Sequence, residues 1–73
     1  MMKMQEIKAS MAGTVLNVMV GEGDSITAGQ ELVMLESMKM EIPIEGVEEG
    51  TVTEVKVSVG DFVNEGDVLV TVK

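Results

Sequence analysis

The chain contains no cysteine, histidine, tryptophan or tyrosine, and Phe62 is its one aromatic residue. Without cysteine it has neither a disulfide framework nor thiol chemistry. Without histidine it lacks the commonest general base and the commonest metal ligand. One aromatic ring cannot provide the stacking surface that binds single-stranded nucleic acid. The sequence therefore predicts no catalytic residue, no metal site and no nucleic-acid partner.

Positive charge is scarce as well, with five lysines against 13 acidic residues and a net charge of −8. Such a surface repels phosphate backbones and anionic lipids. No apolar run is long enough to span a membrane, and residues 1–10 lack the apolar core of a signal peptide. We therefore expect a cytoplasmic protein without a membrane partner. With 73 residues, 45% of them hydrophobic, we also expect a single domain over residues 1–73.

The chain repeats itself at an offset of 37 residues. Residues 13–35 align with residues 50–72, and ten of the 23 aligned positions are identical. Two copies are too few for a solenoid, so the repeat predicts one domain with internal pseudo-two-fold symmetry. Each copy carries a Gly-Asp turn, at Gly23-Asp24 and at Gly60-Asp61.

Apolar and polar residues alternate along the first strand of each copy, and no segment has a helical period. The sequence thus predicts an all-β domain of two small antiparallel sheets packed face to face. We expect Val18 and its repeat partner Val55 to be equivalent, buried core positions. The same alternation predicts one inward-facing set in each copy: Leu16, Val18 and Val20 in the first, and Thr53, Val55 and Val57 in the second.

Residues 36–49, ESMKMEIPIEGVEE, lie between the two copies and are not part of the repeat. This segment follows one strand and leads into residues 41–44, which can form an edge strand because they contain Pro43. The sequence therefore predicts a hairpin with its tip near Met38 and Lys39. Tight hairpin turns normally use Asn-Gly or Gly-X, so Met-Lys is a poor choice for folding and a candidate for function.

Lys39 is a poor catalytic residue, because a free lysine amine is protonated at neutral pH and the chain has no histidine to deprotonate it. It is a good substrate for a modifying enzyme. Met38 and Met40 would give that enzyme a soft, uncharged surface to bind. Composition alone also allows a simpler interpretation, in which both methionines belong to the core and Lys39 is an ordinary solvated charge.

At these residues the chain resembles the biotinyl domain family. The run Ser37-Met38-Lys39-Met40, preceded by Glu36, is similar to the family signature Ala-Met-Lys-Met. Residues 11–15 and the two Gly-Asp turns resemble the remainder of the family pattern. In its length and in the run ESMKMEIPI, the chain is closely similar to small free-standing biotin/lipoyl attachment proteins.

The resemblance implies a flattened β-barrel, a barrel-sandwich hybrid of two four-stranded antiparallel sheets. It implies that a biotin protein ligase recognises Glu36, Ser37, Met38 and Met40 and attaches biotin to Lys39. The domain would be a monomeric carrier and not an enzyme. It would carry the carboxyl group on its biotin from a biotin carboxylase to a carboxyltransferase.

Two other functions stay open. Lipoyl domains share this fold and place their lysine within Glu-Thr-Asp-Lys-Ala or Glu-Ser-Asp-Lys-Ala. Glu36-Ser37 fits that pattern but Met38 and Met40 do not, so biotin is favoured over a lipoyl carrier of acyl or aminomethyl groups, or a dual acceptor. An independent enzyme is disfavoured, because the carboxylates fall mainly at turns and on outward strand faces and the domain is too small for a large pocket.

Overall fold

A computed structural model describes residues 4–73, and residues 1–3 lie outside the described part of the chain. The described residues form eight short strands separated by turns. The strands are β1 (Gln5–Lys8), β2 (Gly13–Val18), β3 (Ser25–Ile26), β4 (Glu31–Ser37), β5 (Met40–Glu45), β6 (Gly50–Val55), β7 (Phe62–Val63) and β8 (Val68–Val72).

The strands build two four-stranded sheets in the orders β5-β4-β2-β7 and β1-β8-β6-β3. Every paired neighbour is antiparallel. The predicted all-β fold of two four-stranded antiparallel sheets is therefore confirmed. β5, which carries Pro43, is an edge strand, as a residue without a backbone N–H requires. Residues 4–73 include no helix that is both long enough and apolar enough to cross a membrane.

The 37-residue offset relates the two sheets strand by strand. It carries β2, β3 and β4 onto β6, β7 and β8, and it carries the pair Val15–Leu35 onto the pair Val52–Val72. It also relates β5 to β1, since Ile42 pairs with Leu35 as Gln5 pairs with Val72. The predicted pseudo-two-fold symmetry is thus confirmed, and it extends to residues 5–8 and 42–45, where the sequence repeat had faded.

The inner faces of the two sheets enclose one aliphatic core. Its largest fully buried side chains come from four central strands and include no aromatic residue. Burial of this apolar surface is the main contribution to stability in a chain of this length. The fully buried side chains are Leu32, Leu35, Leu69, Val15, Val33, Val52, Val70 and Val72.

A β-bulge interrupts two of the four central strands, between Val15 and Asn17 in β2 and at the matching place in β6. A bulge inserts an extra residue, so the alternation of faces changes where it occurs. The extra residue Leu16 is exposed, and the expectation that it faces the core is wrong. Its repeat partner Thr53 is half-buried and donates its hydroxyl to the carbonyl oxygen of Thr71.

Because of the same bulges, Val18 and Val55 are less buried than the sequence predicts. Their equivalence is confirmed, because Val18 pairs with Val33 as Val55 pairs with Val70. The prediction that both are fully buried is wrong, since both are partly buried and pack against the core. The fully buried equivalents in these two strands are Val15 and Val52, which precede the bulges.

The two Gly-Asp turns have the predicted turn chemistry. Gly23 and Gly60 have φ angles of 90° and 95°, which side chains disfavour. The carboxylates of Asp24 and Asp61 each accept a hydrogen bond of 2.8 Å from the backbone N–H three residues upstream. Both turns therefore end their strands by the same local interactions.

We predict that Val15→Ala and Val52→Ala each lower the free energy of unfolding by about 1–3 kcal/mol, through lost apolar burial and a residual cavity. Val18→Ala and Val55→Ala should lower it by less, because these side chains are only partly buried. Urea unfolding of the four variants measures the difference. Equal losses at all four positions would contradict the assigned strand register.

Candidate functional site

β4 and β5 form a hairpin that is paired from Glu31–Glu45 at its base to Ser37–Met40 at its end. Leu35 and Val33 are fully buried and hold one face of β4 against the core. Since strand residues alternate between faces, Glu36 and its partner Glu41 point outward. The predicted hairpin is confirmed, and its turn consists of Met38 and Lys39.

Both turn residues have positive φ angles, 52° for Met38 and 65° for Lys39. They are the only non-glycine residues within 4–73 with this conformation. Tight two-residue turns with two positive φ angles match the twist of the strands but favour Asn-Gly, because other side chains are strained there by about 1–2 kcal/mol each. Such strain persists at sites where selection acts on something other than stability. The turn is therefore a candidate functional position.

The base of this turn is packed against Gly13, at the start of β2. A Cβ atom at position 13 would lie 2.5 Å from the carbonyl oxygen of Glu36 and 3.4 Å from the Cβ of Ser37. Glycine is thus required for the close approach of β2 to the residues that lead into the turn. Sequence reasoning missed this positioning role, although Gly13 and its repeat partner Gly50 were among the identical positions.

The two methionines beside Lys39 are exposed, Met38 by 91% and Met40 by 62%. The interpretation of both as core residues is therefore excluded. Lys39 and Glu36 are exposed and Ser37 is half-buried. All five residues predicted for the site thus lie at the end of one hairpin, and four of them are open to a partner.

The site presents a primary amine between two soft apolar side chains. The ion pairs found among residues 4–73 join Lys8 to Glu6 at 3.8 Å and Lys56 to Glu54 at 3.1 Å. Neither involves Lys39. The same part of the chain has no cluster of acidic side chains that could hold a metal ion, and no pocket. The arrangement thus leaves the Lys39 side chain exposed at the end of the hairpin, where another protein can reach its amine.

Comparison with known proteins gives one family. A family model described as "Biotin-requiring enzyme" matches residues 2–72. The biotin/lipoyl attachment protein of Bacillus subtilis is 57% identical over 63 residues, which are 86% of this chain and 86% of that protein. The biotin carboxyl carrier protein of Streptococcus mutans is 47% identical over 64 residues, 88% of this chain and 49% of that protein.

A solved structure gives the same result for the fold. A single-chain, multi-domain long-chain acyl-CoA carboxylase contains a region that superposes with a TM-score of 0.88 at 35% sequence identity. The match covers 93% of this chain and 7% of that one. The fold described here therefore also occurs as a small part of a much larger carboxylase.

We predict that Met38→Asn stabilises the domain by about 0.5–1 kcal/mol, because asparagine tolerates the positive φ angle that strains methionine. Thermal and urea unfolding measure the gain. Met40→Asn is the matched control: Met40 is also exposed but lies in β5, where asparagine is disfavoured, so this variant should not gain stability. A Met38→Asn domain no more stable than the parent would contradict the strained turn.

Proposed function

The chain belongs to the biotin/lipoyl family of biotin-requiring attachment domains, and on that premise we propose that it is a biotin carboxyl carrier domain modified on Lys39. The chain is homologous to carboxyl carrier domains of carboxylases. The observation that carries the proposal is the turn at Met38 and Lys39, which is exposed, conformationally strained and located at the end of the β4–β5 hairpin.

The residues at the tip fit covalent attachment of biotin. A biotin protein ligase would convert the biotin carboxyl group and ATP into biotinyl-adenylate and pyrophosphate. The Lys39 amine, after losing a proton, would then displace AMP and form the amide. Met38 and Met40 offer the ligase a deformable apolar surface on either side of the amine. Glu36 and Ser37 complete the recognition sequence, and Gly13 holds this segment in place. Lys8 and Lys56 each lie beside a carboxylate on a strand or directly after one.

The exposed position of the site supports a carrier role. Biotin, when attached, supplies a ureido nitrogen that accepts and releases a carboxyl group. A cofactor tethered to a small domain visits the active sites of a biotin carboxylase and a carboxyltransferase at high effective concentration. The domain contributes the tether and its recognition surface, and the two partner enzymes contribute the chemistry. Names of homologous proteins, including propionyl-CoA carboxylase and pyruvate carboxylase, support these partners.

Lipoate is the second candidate for the group carried by Lys39. The name of the Bacillus subtilis relative joins biotin and lipoyl attachment, and Glu36-Ser37 suits both patterns. Met38 and Met40 favour biotin, because lipoyl domains carry aspartate and alanine at these places. Recognition of the side chains beside the lysine would then separate the two ligases.

We predict that incubation with biotin protein ligase, ATP and biotin adds one biotinyl group to the chain, and that Lys39→Arg adds none. Arginine keeps the charge but lacks a free primary amine. Lys56→Arg is the control and should accept one group as the parent does, because Lys56 is engaged with Glu54 outside the turn. Intact-mass spectrometry gives the count. Labelling that survives in Lys39→Arg would refute the assignment.

We also predict that Met38→Asp combined with Met40→Ala sharply reduces biotinylation while the fold is retained. A carboxylate at position 38 would have to be desolvated in an apolar ligase pocket, which is unfavourable without a partner charge. Because Glu36-Ser37 already suits the lipoyl pattern, lipoylation should rise. Parallel assays with the two ligases, and circular dichroism to check folding, test this. A double variant that is biotinylated as fast as the parent would show that the methionines are not the recognition element.

A further inference from the structure

The outward face of the sheet that carries the tip has a row of apolar side chains. Leu16, the extra residue of the β2 bulge, is exposed, and Met34 points outward because its neighbours Val33 and Leu35 face the core. Met34 lies opposite Pro43 on one side and faces the β2 bulge on the other. Phe62, 66% exposed, lies opposite Thr14 and diagonally beside Leu16. We call this the apolar row: Phe62, Leu16, Met34 and Pro43, one residue from each strand.

The other sheet provides an internal control, because each position of the apolar row has a counterpart at an offset of 37. These counterparts are all polar. Two of them, Thr53 and Thr71, hydrogen-bond to each other at 2.7 Å between their hydroxyl oxygens. The same backbone therefore folds with polar residues in this row, so the fold does not require the apolar side chains. The counterparts are Ser25 for Phe62, Thr53 for Leu16, Thr71 for Met34 and Glu6 for Pro43.

Charge around the apolar row also differs between the sheets. Glu36 and Glu41 flank the row on the side of the tip, and Glu45 lies beyond Pro43 on the same face of β5. The repeat counterparts of Glu36 and Glu45 are Lys73 and Lys8. The tip-bearing face is thus apolar at its centre and acidic at its rim. A complementary surface is apolar at its centre and basic at its rim.

We propose that the apolar row and its acidic rim form the surface on which the biotin protein ligase docks while Lys39 occupies its active site. This inference rests on the proposed function and adds a second contact region to the tip. Met34 is four residues before Met38 along β4, which places the row about 13 Å from the turn. The Glu36–Glu41 pair fills the space between them. A ligase that encloses the turn and extends about 13 Å along β4 therefore contacts this face.

The test replaces two members of the row with their counterparts from the other sheet, Leu16→Thr and Phe62→Ser together. Both side chains are exposed in the free domain, so the unfolding midpoint should change little. KM for the domain in the ligase reaction should rise about tenfold with kcat unchanged, as expected when anchor side chains are removed from an interface. Val47→Ser is the matched control, because Val47 is 73% exposed, lies beyond the base of the hairpin and has Ser10 as its counterpart.

Salt dependence tests the rim. KM of the parent should rise with ionic strength, and Glu41→Gln with Glu45→Gln should weaken that dependence.

An unchanged KM in the Leu16→Thr/Phe62→Ser variant, or a loss confined to kcat, would overturn the docking surface. So would sedimentation data in which the parent self-associates and the variant does not, because a second copy would then cover the row. If the parent chain itself accepts no biotin, the proposed function fails first, which separates the two conclusions. Should the double variant unfold, Phe62→Ser alone provides the same comparison.

Discussion

The two sheets are held together by the packing of their aliphatic inner faces, and the position of the hairpin tip depends on that packing. Leu35 is fully buried in the core and lies only three residues before Met38. Because Leu35 cannot turn outward without exposing its side chain, the direction of β4 and the face of each later residue are fixed. Gly13 then lets β2 approach Glu36 closely enough to support the turn. The position of the exposed tip is thus fixed by core packing, and the tip does not behave as an independent loop.

Much of this arrangement could be predicted from the sequence, because the repeat carries its pattern twice. The all-β class, the Gly-Asp turns, the edge position of Pro43 and the hairpin tip all follow from alternation and turn chemistry. The bulges in β2 and β6 could not be predicted, because no particular residue type marks the extra residue: it is leucine in β2 and threonine in β6. For that reason Leu16 was expected inside and Val18 was expected to be fully buried. β1 was missed as the counterpart of β5 because residues 5–8 share little more than Ile7 with residues 42–45.

The proposed functional features lie where the two halves of the repeat differ. Both halves have the same strands, the same bulges and the same glycine turns, so those features serve the fold. The sheet that contains β4 and β5 ends in a strained Met-Lys turn and carries apolar and acidic residues on its outward face. The matching positions of the other sheet are polar, with serine, threonine and glutamate in place of the apolar row and lysine in place of Glu36 and Glu45. The internal repeat therefore separates the features that both sheets share, which serve the fold, from those that we propose a partner recognises.

The most direct measurement of the function is peptide mapping by tandem mass spectrometry of the protein isolated from cells that contain both biotin and lipoyl ligases. If the domain is a biotin carrier, the peptide that contains Lys39 carries biotin, and the peptides that contain Lys8 and Lys56 are unmodified. A lipoyl group on Lys39 would contradict the choice of cofactor. Biotin on any other lysine would contradict the role of the strained turn.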